Sequence, residues 1–246
     1  MNLFIKETGK NYSKLIVFLH GVGSSNQMWS KHLKAFSDYH CIAPDLPGHG
    51  NSNQVLWTNL DDVADQIYQL IVDSNHKKAY LVGLSLGGSL IINMLSKYPK
   101  IIDRAVVDGA GIFPIKGKDL IKIGVSIISP FLRYKVINNG IAGSLGIASK
   151  QELLQFQTDM EAVSPFAFRT AFSQANDQTE PNNLDGLNIP VLFMAGEKEA
   201  SETKASNKHL AKIIGKSKAV AIPNVGHGWV AKNPELHIEM IKKWFS

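Results

Sequence analysis

The chain alternates short apolar runs, rich in β-branched residues, with longer segments that have the periodicity of amphipathic helices. Short runs that are apolar throughout are typical of parallel strands covered on both faces, and intervening helices favour right-handed crossovers. We therefore predict an α/β fold with a mostly parallel, doubly wound sheet and helices on both faces. The predicted strands are Leu15–Leu19, Cys41–Ala43, Ala79–Val82, Arg104–Val107, Val191–Ala195 and Ala219–Ile222, with an antiparallel edge strand at Leu3–Lys6.

The segment 112–186 breaks this rhythm, because it contains helical patterns and Gly/Ser/Asn-rich joints but no clear strand. We predict a core domain of residues 1–111 and 187–246 and a helical cap inserted at 112–186. Within it, Ile121–Leu132 is apolar but too short to cross a bilayer, so a core or lid role is expected, with an interfacial membrane helix as the alternative. The predicted helices of the core domain cover about 26–36, 59–73, 86–97, 202–214 and 234–245.

Composition excludes several classes of protein. The 246 residues are 44% hydrophobic and 19% charged, without a secretory leader or a membrane-length apolar run, so we expect a soluble, cytoplasmic protein. The single cysteine, Cys41, excludes an internal disulfide and a thiolate metal cluster, and its apolar surroundings predict a buried core residue.

The formal net charge of +5 raises the question of an anionic partner. The surplus is C-terminal and made of lysine, and Lys204, Lys208 and Lys212 recur every four residues opposite apolar positions. This spacing is typical of the solvated face of an amphipathic helix. We therefore expect no nucleic-acid partner and no stable membrane insertion, and the oligomeric state is left open.

The segment Gly83-Leu84-Ser85-Leu86-Gly87 follows the predicted strand Ala79–Val82 and precedes a helical pattern. A serine on such a sharp strand-to-helix turn exposes its hydroxyl above the strand ends, and the turn requires very small residues two positions before and after it. Gly83 and Gly87 meet this requirement. The pattern predicts Ser85 as a nucleophile.

A serine nucleophile needs a base, and the base needs a carboxylate that orients it. His227 lies in a glycine-flanked loop after the last predicted strand, at the same sheet edge as Ser85, so we predict it as the base. The loop after the preceding strand offers Glu199 and Glu197, and Asp108 ends the strand before that one. Glu199 is the first choice for the acid, and Asp108 and Glu197 are the alternatives.

Acyl transfer also requires hydrogen-bond donors directed at the oxyanion. The segment His20-Gly21-Val22-Gly23 ends an early strand, and its backbone amides can point to the space above Ser85. We predict the amides of Val22 and Leu86 as the oxyanion hole and His20 as a loop-bracing residue. The sequence contains neither a phosphate-binding glycine motif nor a histidine pair for a metal, so no cofactor and no metal are expected.

Four motifs occur in the order His20-Gly21-Val22-Gly23, Asp45-Leu46-Pro47-Gly48-His49-Gly50-Asn51-Ser52, Gly83-Leu84-Ser85-Leu86-Gly87-Gly88 and Gly226-His227. With them the chain resembles, over nearly its whole length, the α/β-hydrolase-fold serine hydrolases of the small, single-domain bacterial type with a cap. The resemblance implies eight strands or slightly fewer and roles in loop structure for Asp45 and His49. It also implies that the acid position falls on Glu199, where most members have aspartate.

The expected activity is hydrolysis, through an acyl-enzyme, of a small to medium, largely apolar carboxylic ester or lactone, because the cap is apolar without a cluster of charge. Residues suited to an acyl site, each equally well explained as core, are Met28, Trp29, Phe113, Phe131, Phe166, Phe168 and Trp229. A carbon–carbon bond hydrolase or lyase with the same residues and a non-catalytic ligand-binding receptor of the same fold stay open as alternatives.

Overall fold

A seven-stranded sheet lies at the centre of the computed structural model, which describes residues 3–147 and 149–246. Its order is β1-β3-β2-β4-β5-β6-β7, and all neighbours are parallel except the edge strand β1, which pairs antiparallel with β3. The strands are β1 (Ile5–Thr8), β2 (Leu15–Leu19), β3 (His40–Pro44), β4 (Ala79–Leu84), β5 (Ile102–Asp108), β6 (Val191–Gly196) and β7 (Lys218–Ile222).

Helices connect these strands. They are α1 (Ser30–Ala35), α2 (Leu60–Asp73), α3 (Leu86–Lys97), α4 (Lys118–Ile128), α5 (Lys135–Leu145), α6 (Lys150–Ala162), α7 (Pro165–Asp177), α8 (Ser201–Ile213), α9 (Trp229–Lys232) and α10 (Pro234–Phe245). Short 3-10 helices lie at Asn26–Trp29, Gly50–Ser52, Pro99–Ile101 and Ser129–Phe131.

Alternate residues of the strands face two separate apolar layers, as the pleat of a β-strand requires. In β2, Val17 packs in the layer that contains residues of α2, α3 and α8, whereas Ile16 and Phe18 pack with residues of α1 and α10. The sheet is therefore covered on both faces, which confirms the predicted doubly wound, mostly parallel α/β fold.

Most element bounds differ from the predictions by one or two residues. The edge strand lies two residues later than predicted, because its register pairs Ile5 with Pro44 and Thr8 with Cys41. The predicted helix 26–36 is wrong as one helix, since a 3-10 turn precedes α1. Cys41 is fully buried, as expected, and burial raises the pKa of its thiol to about 12.

The described residues of the segment 112–186 contain α4, α5, α6 and α7 and no strand. α7 contacts α2 and α3, and a small cluster of Leu132, Met160, Val163 and Phe168 holds the segment together. Of the two roles expected for Ile121–Leu132, core or lid, the core role does not fit α4, because none of its residues is buried. In that stretch only Ser129 and Leu132 are buried. The assignment of the whole segment 112–186 as a cap stays a prediction. Among the described residues, the helices are too short or too polar to cross a membrane.

Candidate active site

The predicted site residues lie in loops at one edge of the sheet. Because β2 and β4 to β7 are parallel, their carboxyl ends share this edge. Ser85 follows β4, Glu199 lies in the loop after β6, and His227 lies in the loop after β7. Residues far apart in sequence are thus brought together by the sheet topology.

Ser85 occupies a strained turn between β4 and α3. Its φ of 53° and ψ of −111° lie in a region that residues with a side chain rarely adopt, and its N–H donates to the carbonyl of Asp108 at 2.8 Å. A Cβ at Gly83 would overlap the backbone of Gly87, and one at Gly87 would overlap the carbonyl of Leu19. The two glycines are therefore required by this turn, for the reason the sequence motif suggested.

His227 is oriented by Glu199. Its Nδ1–H donates to Glu199 Oε2 at 2.8 Å, and the other oxygen, Oε1, accepts the N–H of Gly196 at 2.7 Å. The Glu199 side chain is 7% exposed, whereas that of His227 is 37% exposed. Both carboxylate oxygens are occupied, so the imidazole is held with Nε2 directed away from the acid.

The pKa of His227 reflects two opposing effects. Burial of the ring lowers it, but the hydrogen bond and charge of Glu199, together with the charge of Asp108, outweigh burial and raise the pKa above its ordinary value. Glu199 therefore stabilises the imidazolium that forms when the ring accepts a proton. This is the electrostatic requirement for a general base paired with a serine.

The three candidate carboxylates have different surroundings. Glu199 bonds the imidazole, whereas Oε2 of Glu197 accepts the N–H of Asn224 at 2.8 Å and supports the loop before His227. Asp108 is 1% exposed, and its carboxylate has no hydrogen-bond partner among the described residues. Of the three, only Glu199 is hydrogen-bonded to His227.

Asp108 belongs to a buried polar group that sequence reasoning missed. His237 Nε2 lies 3.6 Å from Asp108 Oδ2, and His237 Nδ1 lies 2.7 Å from His32 Nε2. Burial, and then the charge of Glu199, raise the pKa of Asp108 to about 7, whereas burial lowers the pKa of both histidines. The two histidines are on α1 and α10, and no local motif signals that they meet.

Lys204 was predicted to belong to a solvated helix face, and that is wrong for this residue. Its Nζ donates to the carbonyls of Glu197 and of Glu199, the latter at 2.8 Å. Lys208 and Lys212 are exposed. Lys204 thus helps to fix the loop that carries Glu199.

The loop that carries the predicted oxyanion donor Val22 lies next to the serine turn. The α-carbon of Gly21 is close to that of Ser85, since a Cβ built on it would lie 3.6 Å from Ser85 Cβ, and Leu86 begins α3. Among the described residues, neither the amide of Val22 nor that of Leu86 donates a hydrogen bond. Free amides at a helix N-terminus suit a developing negative charge.

Hydrogen bonds of the buried His20 hold the loop that carries Val22. His20 Nδ1–H donates to the carbonyl of Gly21 at 2.8 Å, and the N–H of Leu46 donates to His20 Nε2 at 2.9 Å. Burial lowers the pKa of His20 to about 4, so the ring is neutral and can make both bonds. Asp45 accepts from the N–H groups of Asn26 and Asn51. His20 thus braces its loop, as predicted, and Asp45 has the role in loop structure that the resemblance implies.

The segment 112–186 also contacts this loop. Ser25 Oγ donates to Asp159 Oδ1, on α6, at 2.7 Å, and a Cβ on Gly23 would lie against Met160 and Phe168. Burial raises the pKa of Asp159 to about 6. The contact was not predicted, because it joins residues 134 positions apart in the sequence.

A cavity of about 60 Å³ lies beside Ser85. Its lining, which includes no charged side chain, consists of Ser85, Ser89, Gly109, Ala110, Gly111, Phe113, Ile115, Ala175, Asn176 and Thr203. A larger, open depression of about 570 Å³ lies around Lys14, His76 and Asp103, near the amino ends of the strands and away from Ser85. The small cavity is the one that adjoins the proposed chemistry.

Few of the aromatic residues predicted for an acyl site reach this cavity. Phe113 lines it, whereas Trp29, Phe168 and Trp229 are buried in apolar clusters, and Phe131 and Phe166 are 48% and 43% exposed. Met28 packs, partly buried, against the cluster on the α1 and α10 face. The core explanation therefore fits most of this set.

Known proteins were compared with the chain. A model of the alpha/beta hydrolase family matches residues 16–237. The 2-succinyl-6-hydroxy-2,4-cyclohexadiene-1-carboxylate synthase of Escherichia coli O1:K1 / APEC is 25% identical over 236 residues, 92% of this chain and 91% of that protein. Over 80 residues, 32% of each chain, the synthase of Escherichia coli O8 (strain IAI1) is 40% identical.

Solved structures of low sequence identity have the same fold. The enol-lactonase from Burkholderia xenovorans LB400 superposes with a TM-score of 0.86 at 15% identity, covering 99% of this chain and 96% of that chain. A thermophilic esterase from Thermogutta terrifontis superposes with a TM-score of 0.81 at 21% identity, covering 99% and 92%. With the family match across most of its length, the chain belongs to the alpha/beta hydrolase family.

Proposed function

We propose that this protein is a carboxylic ester hydrolase that acts through an acyl-enzyme on Ser85. The observation that carries the proposal is a strained turn at Ser85, at the same sheet edge as a histidine whose Nδ1 is hydrogen-bonded to Glu199. Gly109 connects the two, because a Cβ on it would lie 2.8 Å from the His227 ring, and it lines the same cavity as Ser85. A serine, a base and an orienting acid are the groups that acyl transfer requires.

In the first step Ser85 Oγ attacks the ester carbonyl while His227 Nε2 takes the hydroxyl proton. Glu199 holds the Nδ1–H tautomer and stabilises the imidazolium. The amides of Val22 and Leu86 bind the oxyanion of the tetrahedral intermediate. Collapse of this intermediate expels the alcohol, which takes the proton from His227, and leaves an acyl group on Ser85.

In the second step a water molecule attacks the acyl carbonyl. His227 takes one proton from this water and returns it to Ser85 Oγ as the second tetrahedral intermediate breaks down. The carboxylic acid leaves, and the serine is regenerated. The residues of the chain supply every proton transfer in this cycle.

The cavity supports a short, uncharged acyl group. A volume of about 60 Å³ has room for roughly four or five non-hydrogen atoms. Its polar lining consists of uncharged groups, among them Ser89, Asn176 and Thr203. A carboxylate placed there would lose water without gaining a cationic partner, which is costly.

A second candidate follows from the relatives. The Escherichia coli proteins that match most of the chain are named as synthases of a carboxylate, so a carbon–carbon bond reaction on the same residues is the competing activity. The lining of the cavity contains no charged side chain, so it favours an uncharged ester over a ligand that carries a carboxylate. The second candidate would be supported if the protein formed the compound for which those relatives are named and did not hydrolyse simple esters.

The test is hydrolysis of p-nitrophenyl esters of increasing acyl length, with fluorophosphonate labelling in parallel. We expect multiple turnover with the acetate to butyrate esters and a steep fall for longer chains, since the cavity is small. Ser85→Ala should lose both turnover and labelling. Ser89→Ala is the matched control, because this hydroxyl lines the same cavity one helical turn away.

Each outcome has a distinct meaning. If Ser89→Ala abolishes labelling and Ser85→Ala does not, the nucleophile is wrongly assigned. If the wild type neither hydrolyses any ester nor labels, the hydrolase proposal is wrong, and the ligand-binding alternative should be tested by thermal shift.

A further inference from the structure

Helix α4 presents its apolar face to solvent. Its side chains at Leu120, Ile123 and Ile127 are 76%, 56% and 64% exposed, and none of its residues is buried. The spacing of three and four residues places these three side chains in one row along the helix. In a helix that only packs against its own domain, such a row faces inward.

The side of α4 that faces the protein carries Lys118 and Lys122 together with Val125, which packs, partly buried, against the cluster around Met160. Lys118 Nζ lies 3.1 Å from Asp177 Oδ1, and Lys122 Nζ lies 2.5 Å from Asp177 Oδ2, on α7. The two lysine side chains are 30% and 26% exposed, less than any of the three apolar side chains. These ion pairs and the packing of Val125 hold this side of α4 against the protein, and the row of Leu120, Ile123 and Ile127 is left exposed.

The exposed apolar surface continues beyond the helix. Phe131 and Tyr134 are each 48% exposed, and Val136 is 76% exposed. We call the row Leu120, Ile123, Ile127, Phe131 and Tyr134 the outer stripe. Exposed large apolar side chains grouped in one part of a chain mark an interaction site.

The outer stripe is bordered by positive charge. Lys116, Arg133 and Lys135 are exposed, and Asp119 is the only acidic residue between positions 112 and 147, although Glu202 of α8 lies near Lys116. The Arg133 guanidinium lies 5.2 Å from the centre of the Tyr134 ring. A tyrosine and an arginine at the border of an apolar surface are typical of side chains that lie at the boundary between lipid and water.

We propose that the outer stripe docks reversibly on an anionic lipid surface. The apolar row would enter the headgroup region, and the three cations would contact lipid phosphates. A second copy of the chain fits less well, because both ends of the stripe are cationic and a two-fold contact through it would bring cations of one copy near cations of the other. The break in the helix at Ser129–Phe131 also prevents a continuous coiled-coil seam.

The test is co-sedimentation of the full chain with phosphatidylcholine vesicles, with and without about one third phosphatidylglycerol. We expect binding to the anionic vesicles that weakens in about 0.5 M sodium chloride, because salt screens the cations. The variant Leu120→Ser/Ile123→Ser/Ile127→Ser should lower the partition coefficient by about tenfold or more, since it removes most of the buried apolar area.

Two controls separate docking from other effects. Val72→Ser changes a side chain on α2 that is 42% exposed, near the opposite edge of the sheet, and should bind as the wild type does. Hydrolysis of soluble p-nitrophenyl acetate should be equal in all three proteins, which keeps this inference separate from the hydrolase proposal.

Three results would overturn the inference. They are absence of wild-type binding to anionic vesicles, equal binding by the triple variant, and a wild-type dimer in light scattering that the triple variant converts to a monomer. The last result would assign the outer stripe to a second copy of the chain.

Discussion

Replacing Glu199 with glutamine tests how much the acid contributes to the proposed reaction. Glutamine retains the size of the side chain but only one acceptor oxygen, so the negative charge beside His227 is lost and either His227 Nδ1–H or the N–H of Gly196 faces the amide NH2. We expect kcat/KM for p-nitrophenyl acetate to fall by roughly 100-fold or more, because the imidazolium of the transition state loses its counter-charge.

The magnitude follows from the geometry. The hydrogen bond of 2.8 Å places the two charge centres about 4 Å apart, and at an effective dielectric constant of about 20 this interaction is worth about 4 kcal/mol. Because the His227 side chain is 37% exposed, solvent screening reduces this value to about 3 kcal/mol. At about 1.4 kcal/mol for each factor of ten, the loss is roughly 100-fold.

The pH dependence gives a second readout. In the wild type the pKa of His227 is raised above its ordinary value, so the acid limb of kcat/KM is shifted to higher pH, since the base must be neutral to work. Without the charge of Glu199, burial dominates and the pKa falls. The acid limb of Glu199→Gln should therefore move to lower pH.

The matched controls are the other two carboxylates. Glu197→Gln keeps its acceptor for Asn224 and should retain activity within about threefold, as expected for a mutation that leaves the triad intact. The reasoning would be refuted if Glu199→Gln kept wild-type kcat/KM, or if Asp108→Asn lost as much activity as expected for Glu199→Gln while its thermal unfolding stayed unchanged.

Three further predictions concern stability and reactivity. Burial and the charge of Glu199 raise the pKa of Asp108 to about 7. Between about pH 4 and pH 7 the folded protein therefore holds a proton that the unfolded chain has lost. The contribution of Asp108 to the free energy of unfolding declines as pH rises through this range. Asparagine cannot lose that proton, so the Tm of Asp108→Asn relative to wild type should increase from pH 5 to pH 8, and a pH-independent difference would contradict the burial argument. Gly87→Ala should lower the free energy of unfolding by about 1–3 kcal/mol, because the new Cβ would overlap the Leu19 carbonyl. Gly124→Ala should raise it by about 0.5–1 kcal/mol, because a Cβ at this position in α4 meets no neighbouring atom and alanine favours the helix. Denaturant titrations that show the reverse order would refute the turn geometry. Cys41 should react with Ellman's reagent only after unfolding, since its thiol is fully buried with a pKa raised to about 12, and rapid native labelling would show that the β3 environment is wrong.

Local patterns in the sequence were sufficient to predict the strands and helices of the core domain in their order along the chain, and to predict the sharp turn at Ser85. The apolar runs and the helical spacing act over a few residues, and the glycines around Ser85 are required by contacts within the turn and with the adjacent strand. For the same reason the motif around His20 identified a braced loop. These features depend on steric constraints that a short segment carries with it.

Only the tertiary structure decided which carboxylate meets His227. Glu199, Glu197 and Asp108 all lie near the carboxyl ends of strands. The sequence makes Glu199 the first choice for the acid but does not exclude the other two. The packing of the loops after β6 and β7 directs one carboxylate to the imidazole and leaves the others with an amide or a buried histidine. Such a choice depends on contacts between residues far apart in the chain, which no local pattern encodes.

The outward face of α4 has the same origin. Periodicity shows that the helix has an apolar side, but not whether that side faces the protein or the solvent. The side of α4 that faces the protein is held by contacts with residues far away in the chain. Among them are the packing of Val125 against the cluster around Met160 and the ion pairs of Lys118 and Lys122 with Asp177, more than fifty residues later. The sequence by itself therefore determined the elements and the nucleophile turn, and the fold decided how their side chains meet, because that depends on long-range packing.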